Sequence, residues 1–285
     1  MWGLLKTQHR HITYYTGPET AHDEIRKMLL RSPGGQVDLI QNEDTGIATL
    51  CLNHPDKRNA ISGKMMVDLE NAINALETWE SGKGLIVYGN GQTFCSGGDL
   101  NMARMFCNPD DGFRMATYMQ HVLGRLQRLP LLTAALIEGT GALGGGSEIA
   151  VSCDFRLFAN NTAGIGFVHS RMGIVPAWGG CTRLVSIVGY NRALDLMAYR
   201  TRGGRTRSSG HRTMRRRGKQ SSRSTRVAQV SFRGDVQVIR ALKAICFNAT
   251  TISCSESLAH EKRIFAPLWG GPANLTALSK NIKHK

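Results

Sequence analysis

The sequence predicts an α/β fold with a mainly parallel sheet, and three observations predict it. Short apolar runs of strand length alternate with longer stretches whose apolar residues recur at helical spacing. Two of the runs, 84–89 (GLIVYG) and 131–139 (LLTAALIEG), are almost wholly apolar, as strands covered on both faces are. Glycine-rich turns follow strands near 96–98 and 144–146, the strand ends where such folds gather ligands.

The elements follow in order. Over 36–53 (QVDLIQNEDTGIATLCLN) two alternating runs flank an Asp-Thr-Gly turn, which reads as a β-hairpin. From 62 to 79, Met65, Met66, Leu69, Ala72, Ile73, Leu76 and Trp79 repeat every three to four residues. That is an amphipathic helix, with Ser62 as its N-cap. Strand 84–89 comes next, then a second long helix over 110–129, strand 131–139, strand 154–159 and a helix over 178–188. After a break the periodicity returns in 235–245 (DVQVIRALKAI) and 255–269 (SESLAHEKRIFAPLW), two C-terminal helices, the second capped by Ser253 or Ser255.

Composition excludes several classes. The chain has 285 residues, room for one large domain or two small ones, and 41% apolar content, enough for a sizeable core. No run of eighteen apolar residues exists, so no membrane span is predicted and no membrane partner is expected. The seven cysteines form no C-x-x-C pair, against a zinc site or disulfide scaffold and in keeping with a reducing compartment. No metal is expected. Residues 1–18 contain Lys6 and Arg10 and no acid, the pattern of a weak mitochondrial presequence or of a disordered start. The expected location is the cytosol, with the mitochondrion as alternative.

The net charge of +15 would ordinarily point to nucleic acid. Its distribution argues otherwise. Twelve Lys and Arg lie between Arg200 and Arg233, a stretch without Asp or Glu, and the remainder carries only a small positive surplus.

Two motifs carry the chemistry. In 139–148 (GTGALGGGSE) three successive glycines precede a helix, so the backbone can approach a ligand and helix-start N–H groups can meet developing negative charge. In 93–100 (TFCSGGDL) a strand ends in two glycines and Asp99 opens a helix. Two loops that each present one backbone N–H make an oxyanion hole. Tight turns are the plain alternative for either loop alone.

With 54–62 (HPDKRNAIS) and 172–185 (MGIVPAWGGCTRLV) added, four motifs in this order and spacing resemble the crotonase, or enoyl-CoA hydratase, superfamily over 36–198 and again over 234–280. The resemblance implies a crotonase-type spiral of ββα units with a helical C-terminal region. It implies an acyl-CoA thioester substrate, with CoA arriving as part of the substrate and no separate cofactor. It implies a homotrimer or dimer of trimers. Gly98 and Gly145 would supply the oxyanion N–H groups. Lys57, Arg58 and Ala60, with Ser96 and Gly97, would line the CoA side; by residue type alone Lys57 and Arg58 read as a solvated loop. Trp178 would be pocket wall or core, and Phe265 and Trp269 would pack in the C-terminal region.

Hydratases of that superfamily place water with two glutamates. Glu148 matches the first, and the second position falls on His169. Hydration needs a positioned acid and base, so the departure points away from it. Decarboxylation of a malonyl-type thioester needs no proton abstracted from carbon, because bond cleavage itself makes the enolate. The branch this chain resembles implies that reaction, on ethylmalonyl-CoA and more weakly methylmalonyl-CoA. Glu148 would deliver a proton or orient the leaving carboxylate; its alternative is a buried glutamate capping its own glycine turn. His169 would donate to the substrate, or fill space as a structural histidine. Enoyl-CoA hydratase or isomerase activity and a non-catalytic RNA-binding role stand as alternatives.

Four regions follow: an N-terminal extension (1–34), the core with the acyl-CoA site (35–199), an arginine-rich segment (200–233) and a C-terminal helical region (234–285). The segment starts and stops abruptly and has no apolar period. It reads as an RNA-binding arm, a solvated insertion, or a stretch translated from a shifted frame, the last favoured by its composition. Such a segment cannot bury a face, so a disordered loop, reduced stability and impaired activity are expected.

Overall fold

The computed structural model describes residues 4–5, 14–15, 18–91, 93–159, 163–198 and 235–253, with 256, 264 and 272. The arginine-rich segment 200–233, the 255–269 helix and the placements of Phe265 and Trp269 lie outside the described residues.

Two two-residue strands, β1 (Leu4–Leu5) and β2 (Tyr14–Tyr15), pair antiparallel near the start of the chain. The main sheet has five strands in the order β3-β4-β5-β6-β8. Its first two, β3 (Gln36–Asn42) and β4 (Ile47–Asn53), form the expected hairpin, from Gln36 opposite Asn53 to Asn42 opposite Ile47. Asn42 closes the turn by accepting from the Thr45 N–H at 2.8 Å and its hydroxyl at 2.9 Å. From β4 onward every pairing is parallel, through β5 (Gly84–Gly89), β6 (Leu132–Ile137) and β8 (Phe155–Phe158). Parallel neighbours require crossovers. These are supplied by α2 (Gly63–Glu77), by α3 (Leu100–Met105) with α4 (Pro109–Arg128), and by α5 (Gly145–Ser152).

Alternation along the strands divides the interior. Leu85, Val87, Ala135 and Ile137 point into the large core, with Leu69, Ile73 and Leu76 of α2 and Tyr118, Val122 and Leu126 of α4. The intervening Ile86, Ala134 and Leu136 point to the opposite face. Each fully buried Leu or Ile contributes about 1.5–3 kcal/mol. Ser62 caps α2 as expected, its Oγ accepting from the Met65 N–H at 3.1 Å.

Helix α1 (His22–Leu30) lies inside the stretch read as an N-terminal extension, yet Ile25 and Leu29 belong to the large core. Glu70 of α2 tethers it. The Glu70 carboxylate faces Nε2 of His22 at 2.5 Å and accepts from Arg26 at 2.5 Å and from the buried Tyr118 hydroxyl at 2.6 Å. Burial raises the Glu70 pKa, but Tyr118, His22 and Arg26 outweigh it and hold the carboxyl below its usual range. His22, Glu70 and His121 bring three metal-type ligand atoms within 4.8 Å of one another, on a carboxylate whose two oxygens those partners already engage.

The C-terminal helix α8 (Val236–Thr251) runs longer than the 235–245 pattern predicts. Ile239 is buried, and Arg240 donates to the carbonyls of Gly82 at 3.1 Å and Trp79 at 2.5 Å, just before β5. Beyond it, Ser253 and Glu256 form a capping box: the Glu256 N–H reaches Ser253 Oγ at 3.4 Å and the Ser253 N–H reaches Glu256 Oε2 at 3.2 Å. Ser253 is one of the two serines expected to cap; Ser255 lies outside the described residues. No helix among the described residues is long and apolar enough to cross a membrane.

Helices α1 and α2 meet at a glycine. A Cβ on Gly63 would lie 2.0 Å from the carbonyl oxygen of Leu29. Alanine gains at most about 1 kcal/mol of helix propensity, whereas overpacking costs roughly 2–3 kcal/mol. Gly63→Ala is therefore expected to lower the unfolding free energy by about 1–2 kcal/mol in urea titration, the reverse of a propensity effect.

Candidate active site

Three loops leave the C-terminal ends of β4, β5 and β6, and isolated bridges join them. Ile61 pairs with Gly98, Thr93 with Gly139, and Cys95 with Ala142. The last is extended by β7 (Ala142–Leu143) pairing with β9 (Ile165–Gly166). The chain thus builds a second layer of strand pairing above the main sheet, and the predicted residues sit on it.

The first loop is held by one asparagine. Asn59 is fully buried, and its Nδ2 donates to the carbonyls of Asn90 and Thr93, both at 2.7 Å. Its Oδ1 accepts from the His54 N–H at 2.9 Å. The backbone complies at a cost: Arg58 and Asn59 both have left-handed φ, +52° and +55°. This places Lys57, Arg58 and Ala60 against the second loop. The Ser96 N–H donates to the Arg58 carbonyl at 3.0 Å, Ser96 Oγ to the Lys57 carbonyl at 3.2 Å, and the Ile61 N–H to the Gly97 carbonyl at 2.8 Å. Lys57 Nζ donates to Oδ2 of Asp99 at 2.8 Å. The Arg58 side chain is exposed and unpaired among the described residues.

Asp99 caps α3, accepting from the N–H groups of Asn101 at 2.7 Å and Met102 at 3.2 Å. Burial raises its pKa, and Lys57 with those two N–H groups more than reverses the effect, so the carboxyl lies below its usual range. Cys95, beneath the loop, is the opposite case: burial pushes its thiol up to about 12, so it is inert near neutrality.

The bridge between Ile61 and Gly98 uses the Ile61 N–H to Gly97 and the Asp99 N–H to Ile61, both at 2.8 Å. The N–H of Gly98 therefore faces away from that pairing, at an exposed position. The N–H of Gly145 opens α5 and is one of the donors a helix cannot use internally. The two loops touch: a Cβ on Gly97 would lie 3.2 Å from the Leu143 carbonyl oxygen and 3.5 Å from the Gly145 nitrogen. Gly145 is required for a further reason. A Cβ there would lie 2.3 Å from Cζ3 of Trp178, a buried member of the large core.

Glu148, on the first turn of α5, is only 2% exposed. Its Oε2 accepts from the N–H groups of Trp178 at 2.8 Å and Gly180 at 2.9 Å. Gly180 opens α6 (Gly180–Val188), so the carboxylate sits at the positive end of that helix. Its Oε1 lies 3.0 Å from Nε2 of His169. Glu148 therefore caps a glycine turn, that of α6 rather than its own. His169 is 7% exposed, and among the described residues its Nδ1 has no hydrogen-bond partner. With the carboxylate as acceptor, Nε2 carries a proton and Nδ1 is left to a ligand. Helices α6 and α7 (Tyr190–Ala198) pack on α5 through Val151, Phe167, Leu184 and Ala193, which fixes the turn behind the pair.

All ten predicted residues are thus brought into two adjoining groups: Lys57, Arg58, Ala60, Ser96, Gly97 and Gly98 in one, Gly145, Glu148, His169 and Trp178 in the other. Asp99 opens a helix as the sequence predicts, whereas its tie to Lys57 and the clamp formed by Asn59 depend on distant partners that are invisible in sequence.

This arrangement defines a class. The family profile described as enoyl-CoA hydratase/isomerase matches residues 42–204, and the chain belongs to that family. Its curated relatives narrow the likeness. The ethylmalonyl-CoA decarboxylase of Xenopus laevis is 42% identical over 283 residues, covering 97% of this chain and 94% of that protein. Those of Danio rerio and Homo sapiens are 43% and 40% identical, covering 92% and 95% of this chain and 88% and 89% of theirs. Among solved structures, an enoyl-CoA hydratase from Polaromonas sp. JS666 superposes with a TM-score of 0.72 at 23% identity, over 88% of this chain and 100% of that one. An enoyl-CoA hydratase from Thermoplasma volcanium GSS1 gives 0.70 at 23%, over 87% and 97%. At that identity the likeness shows the fold, the crotonase-type α/β architecture.

Two outcomes are expected from this geometry. Asn59→Ala removes the donor to the Asn90 and Thr93 carbonyls and the acceptor of the His54 N–H and should cost roughly 2–4 kcal/mol in denaturant unfolding; a cost below 1 kcal/mol would refute its role as the clamp. A depressed folded-state carboxyl contributes stability above its unfolded pKa, about 3.9, and loses it as pH falls through the folded value. The stability difference between wild type and Asp99→Asn should accordingly shrink between about pH 5 and pH 3, measured by denaturant titration at each pH.

Proposed function

We propose that this protein decarboxylates ethylmalonyl-CoA, and methylmalonyl-CoA more weakly, to the corresponding acyl-CoA. The observation that carries the reading is the near full-length likeness, at 40–43% identity, to proteins named for that reaction. The site supplies a matching chemistry. The bond between Cα and the carboxylate carbon breaks, CO2 leaves, and the electron pair passes into the thioester as an enolate. The N–H groups of Gly98 and Gly145 hold the enolate oxygen. Each such donor contributes about 3–4 kcal/mol to the transition state. Cα then takes a proton.

His169 is the group placed to give that proton, from Nδ1 of its imidazolium form. Glu148 acts through His169. Its Oε2 is engaged by two backbone N–H groups and its Oε1 by the ring, so it orients the imidazole and balances its charge. Glu148 as the direct proton donor is the less favoured assignment. Hydration would need a second carboxylate to place water, and a histidine stands there instead.

The same reading includes an acyl-CoA bound with its phosphates toward Arg58, no resident cofactor, a cytosolic role in fatty acid metabolism and a homotrimer. Met172, Ile174 and Val175 form an exposed apolar turn, which supports burial of that surface between subunits.

The test sets CO2 release from ethylmalonyl-CoA against water addition to crotonyl-CoA. Release without hydration is expected. Hydration without release would reject the reading in favour of an enoyl-CoA hydratase. His169→Gln should lower kcat by about 10²-fold or more, the usual worth of a positioned acid, with the fold retained by circular dichroism.

A further inference from the structure

The turn that completes the Glu148 cradle is itself held by one side chain. Arg183 lies in the first turn of α6, where a cation opposes the positive end of the helix dipole. Its guanidinium nevertheless turns inward. Nη1 donates to the Trp178 carbonyl at 2.9 Å, and Nε donates to Oε1 of Gln127 on α4 at 3.0 Å. A Cβ on residue 179 would lie 2.5 Å from Nη1, so the bare backbone of Gly179 is what admits the group. Burial pulls the guanidinium below its ordinary range, and the negative charge that acts against this is Glu148. Arg183 makes no ion pair among the described residues. A cation in an unfavourable place, bonded to the residue whose N–H binds Glu148, calls for a purpose beyond packing.

We propose that Arg183 is a positioning residue for the Glu148–His169 pair. By fixing the Trp178 carbonyl it aims the Trp178 and Gly180 N–H groups at the carboxylate. Its charge attracts the Glu148 carboxylate, which helps hold that carboxylate where Nε2 of His169 stays bonded and Nδ1 stays available to substrate. Among the described residues the charges that act on one another here are Arg183 on α6 with Glu148, Arg183 with Arg128 on α4, and Glu148 on α5 with His169 on the turn at 169–172. Only the activity readout below rests on the decarboxylase reading.

Three full-length variants separate charge from geometry. Arg183→Lys keeps the charge and loses the fork, Arg183→Gln keeps a donor and loses the charge, and Arg183→Met loses both. The first readout is the set of 15N imidazole signals of His169 without substrate, which report whether Nε2–H stays bonded to Glu148. Arg183→Gln and Arg183→Met should shift these signals from their wild-type positions, and Arg183→Lys should shift them less. The second is kinetics of CO2 release: kcat should fall about tenfold in Arg183→Gln with KM within about twofold, and recover in large part in Arg183→Lys. Imidazole signals in Arg183→Gln and Arg183→Met that match wild type, or losses that track only the melting temperature across all three variants, overturn the proposal. If wild type releases no CO2, the decarboxylase reading fails, and the imidazole measurement still decides the role of Arg183.

Discussion

A carboxylate taken out of water must be surrounded by donors, and Glu148 imposes that condition on three separate pieces of chain. Its position is set by α5, whose start is fixed by the glycine loop above β6. The donors come from the turn at 178–180 and from His169, which share no local structure with α5. A buried charge left unpaired costs several kcal/mol, so the fold around the site is constrained to bring these pieces together. The packing of α6 and α7 onto α5 follows from that requirement as much as from the apolar contacts of Val151, Phe167 and Leu184.

On the proposed reading the second constraint is on the backbone. An oxyanion site needs two N–H groups that point the same way and belong to no ladder. The chain obtains one from a bridge, where pairing of Gly98 with Ile61 uses the neighbouring groups and leaves its own N–H turned out. It obtains the other from a helix start, where Gly145 has no internal partner. Trp178 occupies the space a side chain at 145 would fill. One residue thus shapes the glycine loop with its ring and binds Glu148 with its backbone.

What sequence made legible follows from where the information lies. The strands at 84–89 and 132–137 were visible because a strand covered on both faces is a continuous apolar run. The glycine pairs at 97–98 and 144–145 were visible because they interrupt that pattern where strand passes to helix. Helix α1 was not, because the apolar residues of HDEIRKMLL span under two turns, Ile25 to Leu30, and its anchor, Glu70, lies 48 positions from His22. Asn59 looked like any loop asparagine; its carbonyl partners lie 31 and 34 residues away. For His169 the residue type was legible but its orientation was not, and the contact with Glu148 decides which ring nitrogen is left unengaged among the described residues.

On the proposed reading, exchanging a carboxylate for a histidine at this position redirects the reaction rather than disabling it. Two carboxylates facing one substrate can hold a water molecule and pass protons in both directions. A carboxylate and a histidine bonded to each other form a pair that is close to neutral when the ring is protonated, with one N–H left over. Such a pair repels a malonyl-type carboxylate far less than two anions would. It also carries one proton to give, which is what an enolate requires once CO2 has gone. The oxyanion donors are indifferent to how the enolate arose, so the loops of Gly98 and Gly145 serve either chemistry. The choice between them is made one helix turn away from Gly145, by what Glu148 is bonded to.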